Sequence, residues 1–441
     1  MLTVSVRPRA YHDSIALMLV SGRMLEIPGV EAAMAAMATP LNLDLLRDSG
    51  LWDDGLEHAG PDDLVLAARG EDPERAIHAA EAALAVGARL VSPILASPSE
   101  DAPARTVRTA ARRLASANLA VVSVPGEHAA WASWDALTAG LNVFCFSNDV
   151  SVPDEVRLKD EALRRRLLFM GPDCGTSIID GVGIGFSNGV PRGRVGIVGA
   201  SGTGIQQLSC LLAHQGVGIS QAIGVGSRDL LPELGGRMTR EAIRRLDEDP
   251  DTEIIVVVSK PVDPVGARLA SPSSTRKPLV NAVLGPGVDL TQIALEVGGG
   301  VLPADPEPLD WSGPVEGIFS GGTLRDDAAL VWGSDARFSA VDYGADEYTR
   351  GRPHPMIDNL LRRQALRRAR GLVYLDVVLG TGAHPDPASE LAPELAGRPA
   401  VVVLIGTESD PQGLSRQRDA FEAAGARVYL SNSRAARSLL R

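Results

Sequence analysis

From Leu119 onward, short runs of consecutive apolar residues alternate with longer amphipathic stretches. The runs Leu119–Val124, Asn142–Phe146, Leu167–Met170, Arg194–Val198, Ile219–Val225, Glu253–Val258 and Leu279–Leu284 read as strands. They are apolar throughout instead of alternating, as strands buried on both faces of a parallel sheet require. Between them, Ile205–Gln215 and Arg237–Asp247 carry helical spacing. Strand–helix alternation of this kind predicts doubly wound α/β domains. The first stretch differs. Strands at 3–7, 29–37 and 63–69, with helices near 11–25, 40–49 and 72–86, predict a small N-terminal α+β module over residues 1–95. Proline-rich punctuation at Ser92–Pro103 and Pro303–Pro314 marks two linkers. The remaining domains are expected at 96–190, 191–305 and 306–441.

The last of these reads as a diverged copy of the one before it. Gly202-Thr203 in GIVGASGTGIQQ and Gly322-Thr323 in GIFSGGTLRDD are offset by 120 residues, and Ile254–Val258 falls on Tyr374–Val378 at the same offset. Lys277-Pro278-Leu279-Val280 meets Arg398-Pro399-Ala400-Val401 at an offset of 121.

Composition narrows the function. A net charge of −12 repels polyphosphate backbones and anionic membrane surfaces, which argues against a nucleic-acid or membrane partner. Three scattered cysteines, Cys145, Cys174 and Cys210, fit a reducing cytoplasm better than a disulfide framework, and no clustered His/Cys pattern points to a metal. No signal peptide is expected at the start and no apolar run reaches membrane-spanning length.

Two strand–helix turns carry the candidate chemistry. In the first, Ser201, Gly202, Thr203 and Gly204 end a buried strand and open a helix; in the second, Ser320, Gly321, Gly322 and Thr323 do the same. The free N–H groups and positive end of a helix make an anion site, and glycines admit a ligand close to the backbone. Neither turn is a P-loop, because no Gly-Lys-Ser/Thr follows. Tight helix–strand packing explains a lone turn of this type equally well. Cys174, after Gly171-Pro172-Asp173, could serve as a helix-start nucleophile or as packing, and packing is the expected use.

In order and spacing, FMGPDCGTSI (169–178), GRVGIVGASGTG (193–204), ISQAIGVGSRDL (219–230) and DPDTEIIVVVSKP (249–261) resemble the α subunit of succinyl-CoA synthetase. GIFSGGTLRDDAALV (317–331) and residues 399–430 resemble the C-terminal ligase domain of its β subunit. RAYHDSIALMLVSG (9–22), MGPDCGT (170–176), GRPHPMID (351–358) and GAHPDP (382–387) resemble hallmark stretches of the FdrA family, which fuses both pieces. The resemblance implies Rossmann-like and flavodoxin-like domains of the succinyl-CoA synthetase type. It makes 96–190 a CoA-binding-like domain and 191–305 and 306–441 the α-like and β-like ligase domains. It also implies that the two turns aim their helices at one phosphate.

Two departures accompany the match. The family's phosphorylated histidine would follow the strand 279–284, where the chain reads Leu284-Gly285-Pro286-Gly287-Val288-Asp289-Leu290, with no histidine between His214 and His354. The carboxylate supporting it would fall near Asn148, which is neutral. No ATP-grasp segment and no glycine-rich coenzyme A loop near 100–125 is present either.

The FdrA resemblance therefore implies a subunit of a carbamoyltransferase of the oxamate type, acting with unlike partner subunits on carbamoyl phosphate and an oxamate-like carboxylate. Phosphate or carbamoyl phosphate would lie on the two turns, and coenzyme A binding is left open. Arg228, Arg352, His354 and His384 are the expected catalytic side chains: Arg228 for an oxyanion, Arg352 and His354 in a proline-flanked loop, His384 after a strand end. Surface pairing of Arg228 and turn capping by either histidine are the plain alternatives. Two other readings stand beside carbamoyl transfer: an acyl-CoA ligase subunit that borrows its missing domain from a partner, and a non-catalytic phosphate-binding scaffold.

Overall fold

The computed structural model describes residues 1–91, 104, 106–114, 116–271 and 274–440, so the linker expected at Ser92–Pro103 lies outside the described residues. The chain divides into two compact units, one of Met1–Ala104 with Arg350–Pro353 and one of Arg105–Thr349 with His354–Arg441.

In the first unit the elements run β1 (Leu2–Arg7), α1 (Ser14–Leu25), β2 (Val30–Met37), α2 (Pro40–Asp48), β3 (Leu64–Gly70) and α3 (Pro73–Val91). The strands form an antiparallel sheet in the order β1-β3-β2. Asp13 caps α1 through the Ala16 N–H, and Thr39 caps α2, with Pro40 in its first turn. Alternation along β3 sends Leu66 and Ala68 toward α1 and α3, and Val65 and Ala67 toward Leu46, Leu51 and Leu56.

The second unit opens with α4 (Val107–Arg113), β4 (Leu119–Val122), α5 (Gly126–Thr138), β5 (Asn142–Cys145), α6 (Val152–Arg165) and β6 (Phe169–Met170). Its three strands are parallel in the order β4-β5-β6. A hairpin of β7 (Thr176–Ile179) and β8 (Val182–Gly185) follows. Next come β9 (Arg192–Ala200), α7 (Gly202–His214), β10 (Ile219–Gly224), α8 (Arg237–Glu248), β11 (Ile254–Ser259), α9 (Pro264–Leu269), β12 (Leu279–Val283) and α10 (Leu290–Gly298). The last stretch holds β13 (Val315–Phe319), α11 (Gly322–Trp332), β14 (Phe338–Asp342), α12 (Asp346–Thr349), α13 (Leu360–Arg368) and β15 (Leu372–Val378). It closes with α14 (Pro387–Leu395), β16 (Ala400–Ile405), α15 (Leu414–Ala423), β17 (Arg427–Tyr429) and α16 (Asn432–Ser438).

The sheets are ordered β12-β11-β9-β10-β7-β8 and β14-β13-β15-β16-β17. In each, the first strand of the repeat lies between the second and the third, and these repeat strands are parallel. The inferred duplication is thus present as a shared topology. One boundary moves: the hairpin, placed by sequence within 96–190, belongs to the next sheet because β7 pairs with β10. Its two-residue turn Asp180-Gly181, with φ 51° and 80°, is a hairpin signal that the strand–helix rhythm of the surrounding chain masked.

Helix α7 lies inside the unit. Every residue from Thr203 to Leu212 is buried. Ile205, Leu208, Leu211 and Leu212 join the core of the first ligase-like sheet, while Cys210 joins that of the second. Its two glutamines are matched: Gln206 donates to Asn188 Oδ1 at 3.1 Å and Gln207 to the Leu430 carbonyl at 3.1 Å. A helix buried all round loses the stripe that marks a surface helix.

Two buried charge networks hold the loops that follow the strands. The Lys159 ammonium donates to Glu155 Oε1 and Asp229 Oδ1, both at 2.7 Å, and to the Val225 carbonyl at 3.1 Å. In the second half, Arg362 Nη1 donates to Asp376 Oδ1 at 3.2 Å and Nη2 to Asn359 Oδ1 at 2.8 Å.

Asp327 on α11 is a separate case. Burial pushes its carboxyl up to about 7, against the Asn432 amide that donates to Oδ2 at 2.7 Å. The folded-state value lies above the unfolded one, so the native state binds the extra proton between about 4 and about 7. Stability is full below that window and is lost as pH rises through about 7. Urea unfolding should therefore show Asp327→Asn stabilised relative to wild type at pH 8 and level with it near pH 4. Equal differences at both pH values would contradict this reading.

Candidate functional site

The two glycine turns meet. Ser201 ends β9 in extended conformation, and its Oγ caps α7 by accepting from the Gly204 N–H at 3.0 Å. Gly321 takes the same place before α11. Ser201 Oγ and Thr323 Oγ1 are 2.5 Å apart, and a side-chain carbon at Gly321 would lie 2.5 Å from Thr203 Cγ2. By the 120-residue offset Ser201 matches Gly321 and Thr203 matches Thr323. Each helix thus presents its cap residue to the second helical residue of the other, in a reciprocal contact with no room for a larger side chain at 321.

The opening N–H groups are only partly used. Gly204 N–H goes to Ser201 Oγ and Ile205 N–H to the Ser201 carbonyl, while both Leu324 and Arg325 N–H go to the Gly321 carbonyl. Among the described residues, the N–H groups of Gly202, Thr203, Gly322 and Thr323 have no protein acceptor. Gly202 is partly exposed, whereas Ser201, Thr203, Ser320, Gly321, Gly322 and Thr323 are buried. Gly204 faces Val258 Cγ2 at 2.9 Å from a side-chain carbon, so its role is helix–strand packing and not ligand access. Ser320 is fixed by Asp376, whose Oδ1 accepts from the Ser320 N–H at 2.7 Å and from its hydroxyl at 3.0 Å.

Charged groups surround this contact. Ser259, the last residue of β11, pairs with Ala200, so Lys260 emerges beside the start of α7 at the point where strand order reverses. Asp342 ends β14 opposite Phe319. A side-chain carbon at Gly322 would lie 2.9 Å from Lys260 Nζ and 2.7 Å from Asp342 Oδ2. Burial raises the carboxyls of both Asp342 and Asp173 above the usual range, and Lys260 pulls each of them down. Asp173 stands in left-handed conformation at φ 54° after β6 and bonds to Ser227. Asn148 donates to Asp346 Oδ1 at 2.9 Å. Behind Gly202, Thr176 Oγ1 is buried without a hydrogen-bond partner, 3.1 Å from where a side-chain carbon at Gly202 would be.

His354 is the one expected catalytic side chain placed here. Its Nε2 lies 2.8 Å from where a side-chain carbon of Gly344 would be, and that position is 3.1 Å from Asp342 Oδ1. His354 Nδ1 accepts from the Met356 N–H at 3.2 Å, which puts the ring proton of the neutral form on Nε2. Burial, with Arg362 nearby, lowers its pKa to about 4. The ring is a neutral donor at physiological pH. Its NMR signals should not titrate between pH 5.5 and 8; a midpoint near 6.5 would show that the ring is solvated instead.

The others lie elsewhere. Arg228 Nη2 donates to the Val150 carbonyl at 2.7 Å and pairs with Glu155 Oε2 at 2.8 Å, making it part of the buried network around Lys159. His384 accepts from the Asp386 N–H at 3.1 Å and faces Glu390 at 3.5 Å, a turn tied to α14. Arg352 is exposed and groups with the first unit. Burial pushes the Cys174 thiol up to about 12, and a side-chain carbon at Gly224 would sit 2.4 Å from its Sγ. It is a packing residue. Lys260, Thr176 and Asp342 were not singled out from sequence. Lys260 had a readable signal, as the second residue after the run Glu253–Val258; Thr176 ends the stretch MGPDCGT (170–176), but the hairpin that carries it went unread.

Among the described residues no group of three or more His, Cys, Asp or Glu is arranged to hold a metal, and no helix is long and apolar enough to cross a membrane.

Comparison with known proteins gives these turns a context. Residues 191–274 match the family described as CoA binding domain, residues 318–439 match CoA-ligase, and residues 1–92 match AllF, heavy metal-associated domain. The α subunit of the ADP-forming succinate–CoA ligase of Aquifex aeolicus is 33% identical over 150 residues, 33% of this chain and 48% of that protein. The match therefore spans about half of that relative. An ATP citrate lyase from Methanothrix soehngenii, solved with citrate and coenzyme A, aligns over 76% of this chain and 40% of its own at 15% identity and a TM-score of 0.32. At that score the likeness carries no weight. The fold and its paired ligase-like halves define a succinyl-CoA synthetase-like protein. The uncharacterized protein YahF of Escherichia coli (strain K12) is 34% identical across 98% of this chain and 96% of its own length, and the chain belongs to that family.

These matches overturn the expected carbamoyl transfer. Both segments that carry the paired turns match CoA-binding and CoA-ligase families, and the 33%-identical relative from Aquifex aeolicus is a succinate–CoA ligase subunit. Sequence reasoning gave the missing histidine too much weight. The histidine is absent, while the segments that carry the two turns match the CoA-binding and CoA-ligase families.

Proposed function

We propose that the chain is a subunit of an acyl-CoA ligase-type enzyme, of the FdrA kind, which holds phosphate at the start of its paired helices and depends on unlike partner subunits for the nucleotide. The observation that carries this reading is the reciprocal contact of the two glycine turns, Ser201 with Thr323 and Gly321 with Thr203. Each turn follows the first strand of its repeat, at the strand end where parallel α/β sheets bind ligands. The uncommitted N–H groups of Gly202, Thr203, Gly322 and Thr323 suit an oxyanion. Ser201 and Ser320 then act as supports, since their hydroxyls are taken within the protein. His354 serves as a neutral donor at the edge of the site. Coenzyme A and a small carboxylic acid are the remaining reactants of such an enzyme, and three buried unpaired thiols fit a cytoplasmic setting.

Titration calorimetry of the full chain with coenzyme A, in the presence and absence of phosphate, tests this. Binding of coenzyme A in the micromolar to millimolar range, altered by phosphate, is expected. Absence of binding under both conditions would sink the ligase reading.

A further inference from the structure

We propose that the oxyanion is seated on α7 alone, with Thr176 and Lys260 as its side-chain ligands, and that Asp342 occupies the equivalent place at α11. This assignment rests on the phosphate reading above, and departs from an even sharing of the anion between the two helices.

The two helix starts are unlike in what faces them. At α11, the Asp342 carboxylate already lies against the first residue: Oδ2 is 2.7 Å from where a side-chain carbon of Gly322 would be, and Oδ1 accepts from the Gly344 N–H at 2.9 Å. A carboxylate at a helix N-terminus supplies the negative charge that the dipole favours, and it repels a second anion brought to the same spot. The start of α7 is faced differently. The three atoms nearest a side-chain carbon at Gly202 would be Thr176 Oγ1 at 3.1 Å, Gly175 Cα at 3.7 Å and Thr176 Cβ at 3.8 Å, none of them a carboxylate oxygen.

Thr176 makes this start more than a bare helix end. It is 1% exposed, and its hydroxyl has no hydrogen-bond partner. An unpartnered buried hydroxyl carries a desolvation cost that a bound oxygen removes. Gly202 is the partly open residue of the turn, so a ligand reaches the Gly202 and Thr203 N–H groups from that side. Lys260 lies one residue beyond the Thr203–Gly321 contact, over Gly322, and acts on both Asp173 and Asp342. With Asp342 beside it at α11, its ammonium screens the oxyanion from that carboxylate. A tetrahedral dianion, inorganic phosphate or the phosphoryl end of an acyl phosphate, has the oxygens to accept from two N–H groups, one hydroxyl and one ammonium.

The test is calorimetric titration of inorganic phosphate into the full chain and three variants, each checked for an unchanged thermal transition. Thr176→Val should weaken phosphate binding about tenfold or more, the loss of one hydrogen bond to a charged group. Thr176→Ser should restore most of it. Asp342→Asn should leave binding unchanged or tighten it, because a like charge is removed. Thr176→Val with wild-type affinity, or Asp342→Asn with lost binding, would overturn the assignment to α7 while leaving the phosphate reading intact. No phosphate bound by the wild type at millimolar concentration would remove both.

Discussion

Replacing Lys159 with alanine should destabilise the second unit by about 3–5 kcal/mol, one of the largest effects of any single substitution in this protein. Lys159, Glu155 and Asp229 are fully buried, and the lysine is the cation that both carboxylates share. Asp229 also accepts from the N–H groups of Met238 and Thr239 at 3.2 and 2.7 Å, which caps α8 from a distance. Removing the ammonium leaves Glu155 with Arg228 and Asp229 with the neutral donors of Met238 and Thr239, one buried carboxylate short of a cation. Breaking one partner of such a network costs far more than the network contributes, because the desolvated charge remains. A loss of this size corresponds to a fall of roughly 10 °C in melting temperature for a unit of this size. Denaturant unfolding measures it, and a change below about 1 kcal/mol would mean that the network is hydrated in solution.

Gly321→Val should abolish phosphate binding while costing about 1–3 kcal/mol of stability. Its first side-chain carbon would stand 2.5 Å from Thr203 Cγ2 and 2.9 Å from Thr203 Oγ1, well inside contact distance. The helix starts must separate, and with them the Ser201–Thr323 hydrogen bond. The double variant Gly321→Val with Thr203→Gly vacates the space and should recover part of both losses. Equal phosphate affinity in wild type and Gly321→Val, read from the phosphate-dependent rise in melting temperature, would show that the contact is packing only.

Sequence reasoning reached different depths in different parts of the chain. Continuous apolar runs such as Ile254–Ser259 and Ala400–Ile405 are legible because a parallel sheet buries both faces, and the offset of 120 residues located both turns. The pairing of Ser201 with Thr323, separated by 122 residues, has no local signature. The same holds for Asp342 and Lys260, which sheet order brings to one place from different halves. Arg228 and His384 misled because they stand in loops after strands, where ligands bind; their partners Glu155 and Glu390 lie 73 residues before and 6 residues after them. Gly204 looked like ligand clearance and is clearance for Val258. A glycine's spacing does not distinguish the two uses.

A crystal structure of the full chain grown with saturating phosphate shows directly where the anion sits. Tetrahedral density is expected at the start of α7, within hydrogen-bonding distance of the Gly202 and Thr203 N–H groups and Thr176 Oγ1. Phosphate bound elsewhere, with these groups still closed on one another, would contradict it.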